Sequence, residues 1–273
     1  MEELEAFVIF NHIPELGLLK AKKLLEQFGS AKAALQSADK SWEKLNSWKK
    51  DLELIATSGI KLIPFTDPRY PKRLLELKDH PLILYVKGDL LPSDENAVTI
   101  VGTRQCSLYG RDIAHKMAKE LAAKGYTVVS NLALGCNTAV HMGAIETGRT
   151  IAVIGSGLKD VFPKENIALT SHIARNGAVI SEFPMNAPPE KNNFLKRDRL
   201  VSALSHTVLL TEAPIKSSAM ITMKYAEAQG KPCFALPGRP DIETFQGNHI
   251  LIKEKKARLI DNTQDLLSFL RKG

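Results

Sequence analysis

The chain has 273 residues, of which 44% are apolar and 25% are charged, and its formal net charge is +7. This apolar content is ordinary for a globular protein, and no apolar run approaches the roughly 20 residues that span a bilayer, so we expect no membrane partner. The excess of Lys and Arg favours a polyanionic partner, although a basic protein without a nucleic acid partner fits the charge alone equally well.

The N-terminus and the cysteines bear on the compartment and on metal binding. The first residues are acidic and lack the basic segment of a secretory signal, so we expect a cytoplasmic protein. Cys106, Cys136 and Cys233 are far apart in the sequence and odd in number. This spacing predicts neither a zinc site nor a disulfide framework, which fits a reduced cytoplasm.

The N-terminal part shows helical rather than strand periodicity. The stretch that ends at Phe28 places its apolar side chains on one face, and Gly29 fits a helix stop. An early Pro-Xaa-Leu-Gly turn resembles a helix–hairpin–helix that contacts DNA backbone, and a simple packing turn explains it equally well. We predict a small all-α domain (SAM-like or helix–hairpin–helix-like) with its connector over residues 1–70, and a second domain over 71–273.

From Val98 onward, short apolar runs alternate with glycine turns and helical stretches. Each run ends in Gly, Ser or Asn where a helix should begin, as in 99–104, 128–135 and 150–157. This layout is typical of an α/β protein with a mostly parallel sheet flanked by helices, whose carboxyl-edge turns face a ligand. Turns at helix N-termini present free backbone N–H groups, which bind phosphate. The sequence therefore predicts a phosphate-binding edge.

The candidate residues follow these strand ends and two later basic segments. An aromatic ring among cations, as in 194–199, is what a single-strand groove needs, whereas a solvated helix start with Asp198 pairing an arginine is the simpler alternative. Ser217 and Ser218 fit either phosphate binding or helix capping. The predicted DNA- or phosphate-binding set is Gly102, Thr103, Arg104, Tyr109, Ser130, Asn131, Gly135, Gly155, Ser156, Gly157, Phe194, Lys196, Arg197, Arg199, Lys216, Ser217, Ser218 and Asn248.

Several enzyme classes lack their motifs in this chain. Neither 102–107 nor 155–160 matches the G-x-G-x-x-G fingerprint, so we expect no nicotinamide, flavin or other cofactor. No G-x-S-x-G, no H-E-x-x-H and no nucleophile with an obvious base occurs. We therefore predict a protein that is not an enzyme and holds no metal, with His141 in a structural role and only Glu182 and Glu212 as acid–base candidates.

From about Tyr70 to Leu270 the chain resembles the DNA-processing protein A family (DprA, also called Smf). The order and spacing of several short motifs carry this resemblance, not any one of them. The motifs are Ile100-Val-Gly-Thr-Arg104, Tyr109-Gly110, Ser130 with Gly135, Ala139-Val-His141, Gly155-Ser-Gly-Leu158, Pro163-Lys-Glu-Asn166, Ser181-Glu182, Phe194 with Arg197 and Arg199, Glu212-Ala213, Pro237-Gly238 and Gly247-Asn248.

The resemblance implies an extended Rossmann-like domain that binds single-stranded DNA, forms homodimers and performs no chemistry. It implies protection of incoming strands during natural transformation and help in loading the RecA recombinase onto them. By motif match, Arg104, Arg197 and Arg199 contact the DNA backbone, and Ser130, Ser217 and the glycine turns bind phosphate. Such a platform requires the arginines to be exposed along one continuous path.

The chain also departs from the family pattern. It has Asn131, Cys136 and Asn137 in the turn after the second parallel strand, and Asp198 places a negative charge beside the cations. Two other functions therefore stay open. One is a nucleotide-binding enzyme similar to the phosphoribohydrolases, although their Pro-Gly-Gly-x-Gly-Thr-x-x-Glu motif is absent. The other is a nucleotide sensor or a protein-interaction module without a DNA role.

Overall fold

A computed structural model describes residues 1–14, 16–37 and 40–271. Within these ranges one sheet is formed by the strands β1 (Lys61–Pro64), β2 (Ile83–Gly88), β3 (Ala97–Val101), β4 (Thr127–Asn131), β5 (Thr150–Val153), β6 (Ala178–Ser181), β7 (Thr207–Leu210), β8 (Cys233–Ala235) and β9 (Arg258–Leu259). Their order across the sheet is β1-β2-β6-β5-β4-β3-β7-β8-β9. Strand β2 pairs antiparallel with β1 and β6, and the strands from β3 to β9 pair in parallel.

Helices precede the sheet and connect its strands. They are α1 (Glu3–His12), α2 (Leu18–Phe28), α3 (Ala31–Ser37), α4 (Ser47–Ser58), α5 (Lys72–Leu75), α6 (Leu108–Ala123), α7 (Cys136–Thr147), α8 (Ile167–Asn176), α9 (Lys191–Ala203), α10 (Ser218–Ala228), α11 (Gln246–Lys253) and α12 (Thr263–Leu270). The predicted α/β class with a mostly parallel sheet is therefore confirmed. None of these helices, over the described ranges, has the length and apolar character needed to cross a bilayer.

Alternating side chains of the parallel strands pack into two apolar layers. On one face, Val98 and Ile100 of β3 join a cluster with Met117 of α6 and Val140 of α7. On the other face, residues of the same strands pack against α9 and α10. Both faces of the sheet are thus covered, which explains why the central strands read as continuous apolar runs.

The N-terminal helices form a third cluster and pack against the antiparallel end of the sheet. The predicted stop at Gly29 is confirmed, because this residue has φ 78° and ends α2. Asp51 of α4 ties the two parts together, accepting hydrogen bonds from the Tyr85 hydroxyl at 2.8 Å and from the Met185 N–H at 2.7 Å. The division of the chain between residues 70 and 71 stays a prediction, and β1 already belongs to the sheet before that point.

The central strand β3 marks the switch point of the sheet. Strand β4 pairs with one edge of β3, and β7 pairs with the other edge. The strands from β4 to β6 therefore extend the sheet on one side of β3, and those from β7 to β9 extend it on the other side. The loops after β3 and β7 therefore diverge and leave a crevice at the carboxyl edge, which is where open α/β sheets bind their ligands.

Candidate functional site

A broad groove of about 730 Å³ lies at this switch point. The loop after β3 and the loop after β7 form two of its walls, and the start of α9 forms another. From the predicted set, the groove brings together Thr103, Arg104, Phe194, Lys216, Ser217 and Ser218. Six of the eighteen predicted residues therefore line this groove, and the other twelve do not.

Three exposed cations stand around the groove, each on a different element. Arg104 follows β3, Lys191 opens α9, and Lys216 follows β7. Within the described part of the chain, none of these three side chains forms an ion pair or a hydrogen bond. Because exposed cations without a protein partner remain available to anions, the groove presents positive charge from three directions.

Two aromatic rings line the same groove beside Arg104. The Phe162 and Phe194 rings lie 5.7 Å apart between centroids at an interplanar angle of 41°. Both rings and Arg104 also line a smaller recess of about 150 Å³ that adjoins the groove. A flat ligand part held against these rings would therefore have a guanidinium within reach.

Arg197, predicted as a cation that contacts a ligand backbone, is instead buried. Only 4% of the residue is exposed, because the second half of α9, from Arg197 to Ala203, is buried on every side. Its Nη1 donates to the Val153 carbonyl at 2.7 Å, and its Nε donates to Asp198 Oδ1 at 3.0 Å. Burial lowers the pKa of Arg197 and raises the pKa of Asp198, since desolvation opposes both charges. The pair therefore anchors α9 to the end of β5.

Arg199 was also predicted to contact the DNA backbone. It is 9% exposed, and its guanidinium is hydrogen-bonded to two carboxylates of the protein. Its Nε donates to Asp79 Oδ2 at 2.8 Å, and its Nη2 donates to Glu182 Oε2 at 2.7 Å. Together with Lys196 it lines a different cavity, next to Leu18 of α2. Arg104 is exposed in the groove, and Arg197 lines only the adjoining recess, where 4% of it is exposed. Because Arg199 lines a separate cavity, the expected path of three exposed arginines is not formed.

The polar residues at the strand ends are buried and hold the loops in place. The Ser130 hydroxyl donates to the Ile100 carbonyl at 2.7 Å, and Asn131 Oδ1 accepts from the Ala133 N–H at 3.0 Å. Asn248 accepts from the Ala213 N–H at 2.9 Å and donates to neighbouring carbonyls. At most 1% of each predicted polar residue is exposed at Ser130, Asn131, Ser156 and Asn248. These side chains therefore hold the loops in place and are not available to contact a ligand.

The glycines of the loops are also surrounded by protein. A Cβ on Gly102 would lie 2.5 Å from Cys136 Cβ, and one on Gly155 would lie 2.7 Å from a ring atom of Phe194. A Cβ on Gly157 would meet the Met185 carbonyl, and Gly135 combines φ 77° with close contact to the Arg104 carbonyl. These glycines are therefore required by close packing of the loops on one another, and not by approach to a ligand.

The remaining predicted residues lie nearer the surface. Ser217 lines the groove while its hydroxyl accepts from the Met220 N–H at 3.4 Å, so it also caps α10. Tyr109 is exposed, and its ring centroid lies 6.0 Å from that of Phe245. Sequence reasoning missed Phe162 and Gln105 as groove residues. The Phe162-Pro163 step, which follows the glycine turn at 155–157, was the sequence feature that indicated a loop aromatic at this edge.

The chemistry that this arrangement offers is recognition of an extended anion with flat, stackable parts. Over the described ranges, no group of three or more His, Cys, Asp or Glu residues is placed to hold a metal ion. The acid–base candidates serve the structure: Glu182 pairs with Arg199, and Glu212 accepts hydrogen bonds from Ser107. His141 is fully buried between α7 and the sheet.

The mostly parallel sheet and the cation-lined groove at its switch point define a Rossmann-like α/β protein. The sequence profile of the DNA recombination-mediator protein A family matches residues 61–271. The chain belongs to that family, as the resemblance in the sequence predicts.

Curated relatives agree with this membership. The chain is 35% identical over 214 residues to the DNA processing protein DprA of Bacillus subtilis, covering 78% of this chain and 72% of the relative. It is 36% identical over 214 residues to the protein Smf of Escherichia coli, covering 78% of this chain and 57% of that longer relative. The chain therefore spans little more than half of the latter.

Solved structures give the same result at the level of the fold. The crystal structure of DprA from Streptococcus pneumoniae superposes with a TM-score of 0.82 at 29% identity and 98% coverage of both chains. DNA processing protein A from Helicobacter pylori superposes with a TM-score of 0.71 at 33% identity, covering 78% of this chain and 96% of that one. The latter structure was described for its single-stranded DNA binding mode.

Proposed function

We propose that this chain binds single-stranded DNA in the groove at the switch point of its sheet, without chemistry and largely without sequence preference. The observation that carries the proposal is the set of three unpaired, exposed cations, Arg104, Lys191 and Lys216, around one groove that also holds two aromatic rings. Cations provide contacts to phosphates, and rings provide a stacking surface for any base.

In this proposal the cations contact the phosphates of the strand, and an aromatic ring stacks on a base. Lys191 and Lys216 stand on separate walls of the groove, so the sugar–phosphate backbone passes between them. Arg104 borders both the groove and the adjoining recess, as Phe194 does, so we expect its phosphate contact to lie next to that ring. A base that leaves the strand at this point stacks on that ring while its phosphate pairs with Arg104. Thr103, Ser217 and Ser218 add hydroxyl or backbone donors along the same path.

A wider role follows from the family. The described binding mode of the Helicobacter pylori relative is with single-stranded DNA, and the family description is that of a recombination mediator. We infer that the chain, as a cytoplasmic homodimer, protects incoming strands in natural transformation and helps the RecA recombinase assemble on them. The experiment is RecA filament assembly on a strand covered by single-strand-binding protein, which this chain is expected to accelerate. Unchanged assembly kinetics would contradict the mediator role.

Strand binding itself is tested by comparing ligands on the full chain. A fluorescent single-stranded oligonucleotide is titrated at two salt concentrations, in parallel with its duplex and with nucleoside monophosphates. We expect tighter binding of the single strand and a steep loss of affinity at high salt, because neutralised phosphates release counterions. Preferential binding of mononucleotides, or release of free base from them, would instead favour the nucleotide sensor or the phosphoribohydrolase.

A further inference from the structure

A second cavity lies at the opposite edge of the sheet from the groove. Its volume is about 320 Å³, which is in the range of small-molecule sites. Residues 90–95, which precede β3, form one of its walls, whereas the groove loop directly follows this strand. Strand β3 has 5 residues, so about 16 Å of sheet separates the cavity from the groove. The cavity is therefore distinct from the proposed DNA site.

The lining of this cavity is mostly apolar. Ile151 of β5 and Leu204, directly after α9, line it and are buried. Leu91 also lines it and keeps 45% of its surface exposed. The other apolar lining residues are Pro68, Tyr70, Pro71, Leu90 and Pro92. A ligand with an apolar body gains free energy by burying that body among these side chains.

Arg73 lines the same cavity and has one N–H group without an acceptor. Its Nη2 lies 2.8 Å from the ring nitrogens of His206. Burial and the charge of Arg73 lower the pKa of His206, so this ring is a neutral acceptor. Arg73 Nε is buried and has no hydrogen-bond partner among the described residues, since Glu95 Oε2 stays 3.7 Å away. Buried donors are almost always paired, so Arg73 Nε calls for an acceptor from a ligand.

The charges of the lining leave one cation uncompensated. Three ion pairs cancel: Arg69 with Asp67, Arg149 with Asp94, and Arg73 with Glu95. Lys72 lines the cavity, is exposed, and forms neither an ion pair nor a hydrogen bond within the part of the chain that the structure describes. A monoanion therefore balances the lining, whereas a dianion leaves excess negative charge beside two carboxylates.

We propose that this cavity is a binding site for a small organic monocarboxylate with an apolar or aromatic body. The carboxylate accepts from Arg73 Nε and neutralises Lys72, while the body packs against Leu91, Ile151 and Leu204. Arginine suits this role because its planar guanidinium matches the geometry of a carboxylate. This inference does not depend on DNA binding.

The test is a titration of the isotope-labelled full chain with sodium phenylacetate, followed by amide chemical shifts. We expect saturable shifts at the amides of Arg73, Leu91 and Asp94, and none at Thr103 and Arg104 in the groove. Phenethylamine carries the same ring on a cation, and acetate carries the carboxylate without a ring. Neither is expected to give saturable shifts over the same concentrations, because each lacks one half of the recognised chemistry.

Two variants and a control locate the site. Arg73→Gln is expected to weaken phenylacetate binding about tenfold or more, because a charge-assisted hydrogen bond is lost. Leu91→Trp changes a partly exposed side chain, leaves the contact between Arg73 and His206 intact, and is expected to abolish binding by filling the cavity. The control is Arg258→Gln, an exposed arginine on β9 outside the cavity, which is expected to bind phenylacetate like the parent.

Three results would overturn the proposal. The first is the absence of saturable shifts at the cavity amides of the parent chain. The second is equal binding of phenethylamine, which would mean that the carboxylate is not recognised. The third is unchanged phenylacetate affinity of Leu91→Trp, which would place the bound molecule elsewhere on the protein.

Discussion

Glu212 and Ser107 join the loops after β7 and β3 at the N-terminus of α6. The backbone N–H of Ser107 donates to both carboxylate oxygens of Glu212, at 3.0 and 3.1 Å, and its hydroxyl donates to Oε2 at 2.8 Å. The position at which dinucleotide enzymes place a pyrophosphate on their first helix is thus filled by a carboxylate of the chain itself. A ligand phosphate therefore has to bind further out, among the exposed cations.

Replacement of Glu212 by Gln is expected to lower the free energy of unfolding by about 1–3 kcal/mol, because a charged acceptor of buried hydrogen bonds is lost. Chemical denaturation of the purified variant measures this. The exposed Glu227 on α10 provides the matched control, and Glu227→Gln is expected to stay within about 0.5 kcal/mol of the parent. Equal effects of the two substitutions would show that Glu212 does not hold the loops together.

The second prediction concerns the contribution of the buried ion pair between Arg197 and Asp198 to the free energy of unfolding. Arg197→Ala is expected to cost about 3–5 kcal/mol, because it leaves the carboxylate of Asp198 buried without its partner. The double variant Arg197→Met with Asp198→Leu is expected to lose less than Arg197→Ala alone, because neither charge is then stranded. Denaturation curves of the two variants decide this. A double variant that is less stable than the single one would contradict the account of the pair.

His141 gives a prediction about pH. Its Nε2 donates to the Asn131 carbonyl at 3.1 Å, and its Nδ1 lies 2.8 Å from the Thr150 hydroxyl, which in turn donates to the Val128 carbonyl at 2.6 Å. Burial lowers the pKa of His141 from 6.5 to about 4. The unfolded chain therefore binds this proton at higher pH than the folded chain does, and stability present above pH 6.5 is lost as the pH falls towards 4.

The size of this effect follows from the shift in the pKa of His141. We expect it to remove about 3 kcal/mol from the free energy of unfolding across that pH window. The measurement is the unfolding free energy of the parent and of His141→Gln from pH 7 to pH 4. Parallel curves for the two proteins would exclude His141 as the cause.

The strands and the sheet class were predictable because they depend on local patterns. The apolar runs that end in Gly, Ser or Asn are the parallel strands, and the stop at Gly29 is visible from the glycine itself. The position of Arg104 was also predictable, because a loop directly after a central parallel strand has to lie at the carboxyl edge.

The burial and ion pairing of the other predicted cations could not be predicted, because the residues that pair with them are distant in the sequence. Arg199 is neutralised by Asp79 and Glu182, which reach it from separate parts of the fold. Helical periodicity gives no signal for Arg197, because every residue of α9 from Arg197 to Ala203 is buried and no polar face marks the exposed cations.

The most direct test of the account is the salt dependence of oligonucleotide binding by Arg104→Gln. If Arg104 neutralises one phosphate, the variant binds more weakly, and its log–log slope against salt becomes shallower by about 0.7. The matched control is Arg175→Gln, at an exposed arginine on α8 that does not line the groove, for which affinity and slope stay those of the parent. An Arg104→Gln variant that retains the parent's slope and affinity would place the strand elsewhere on the protein.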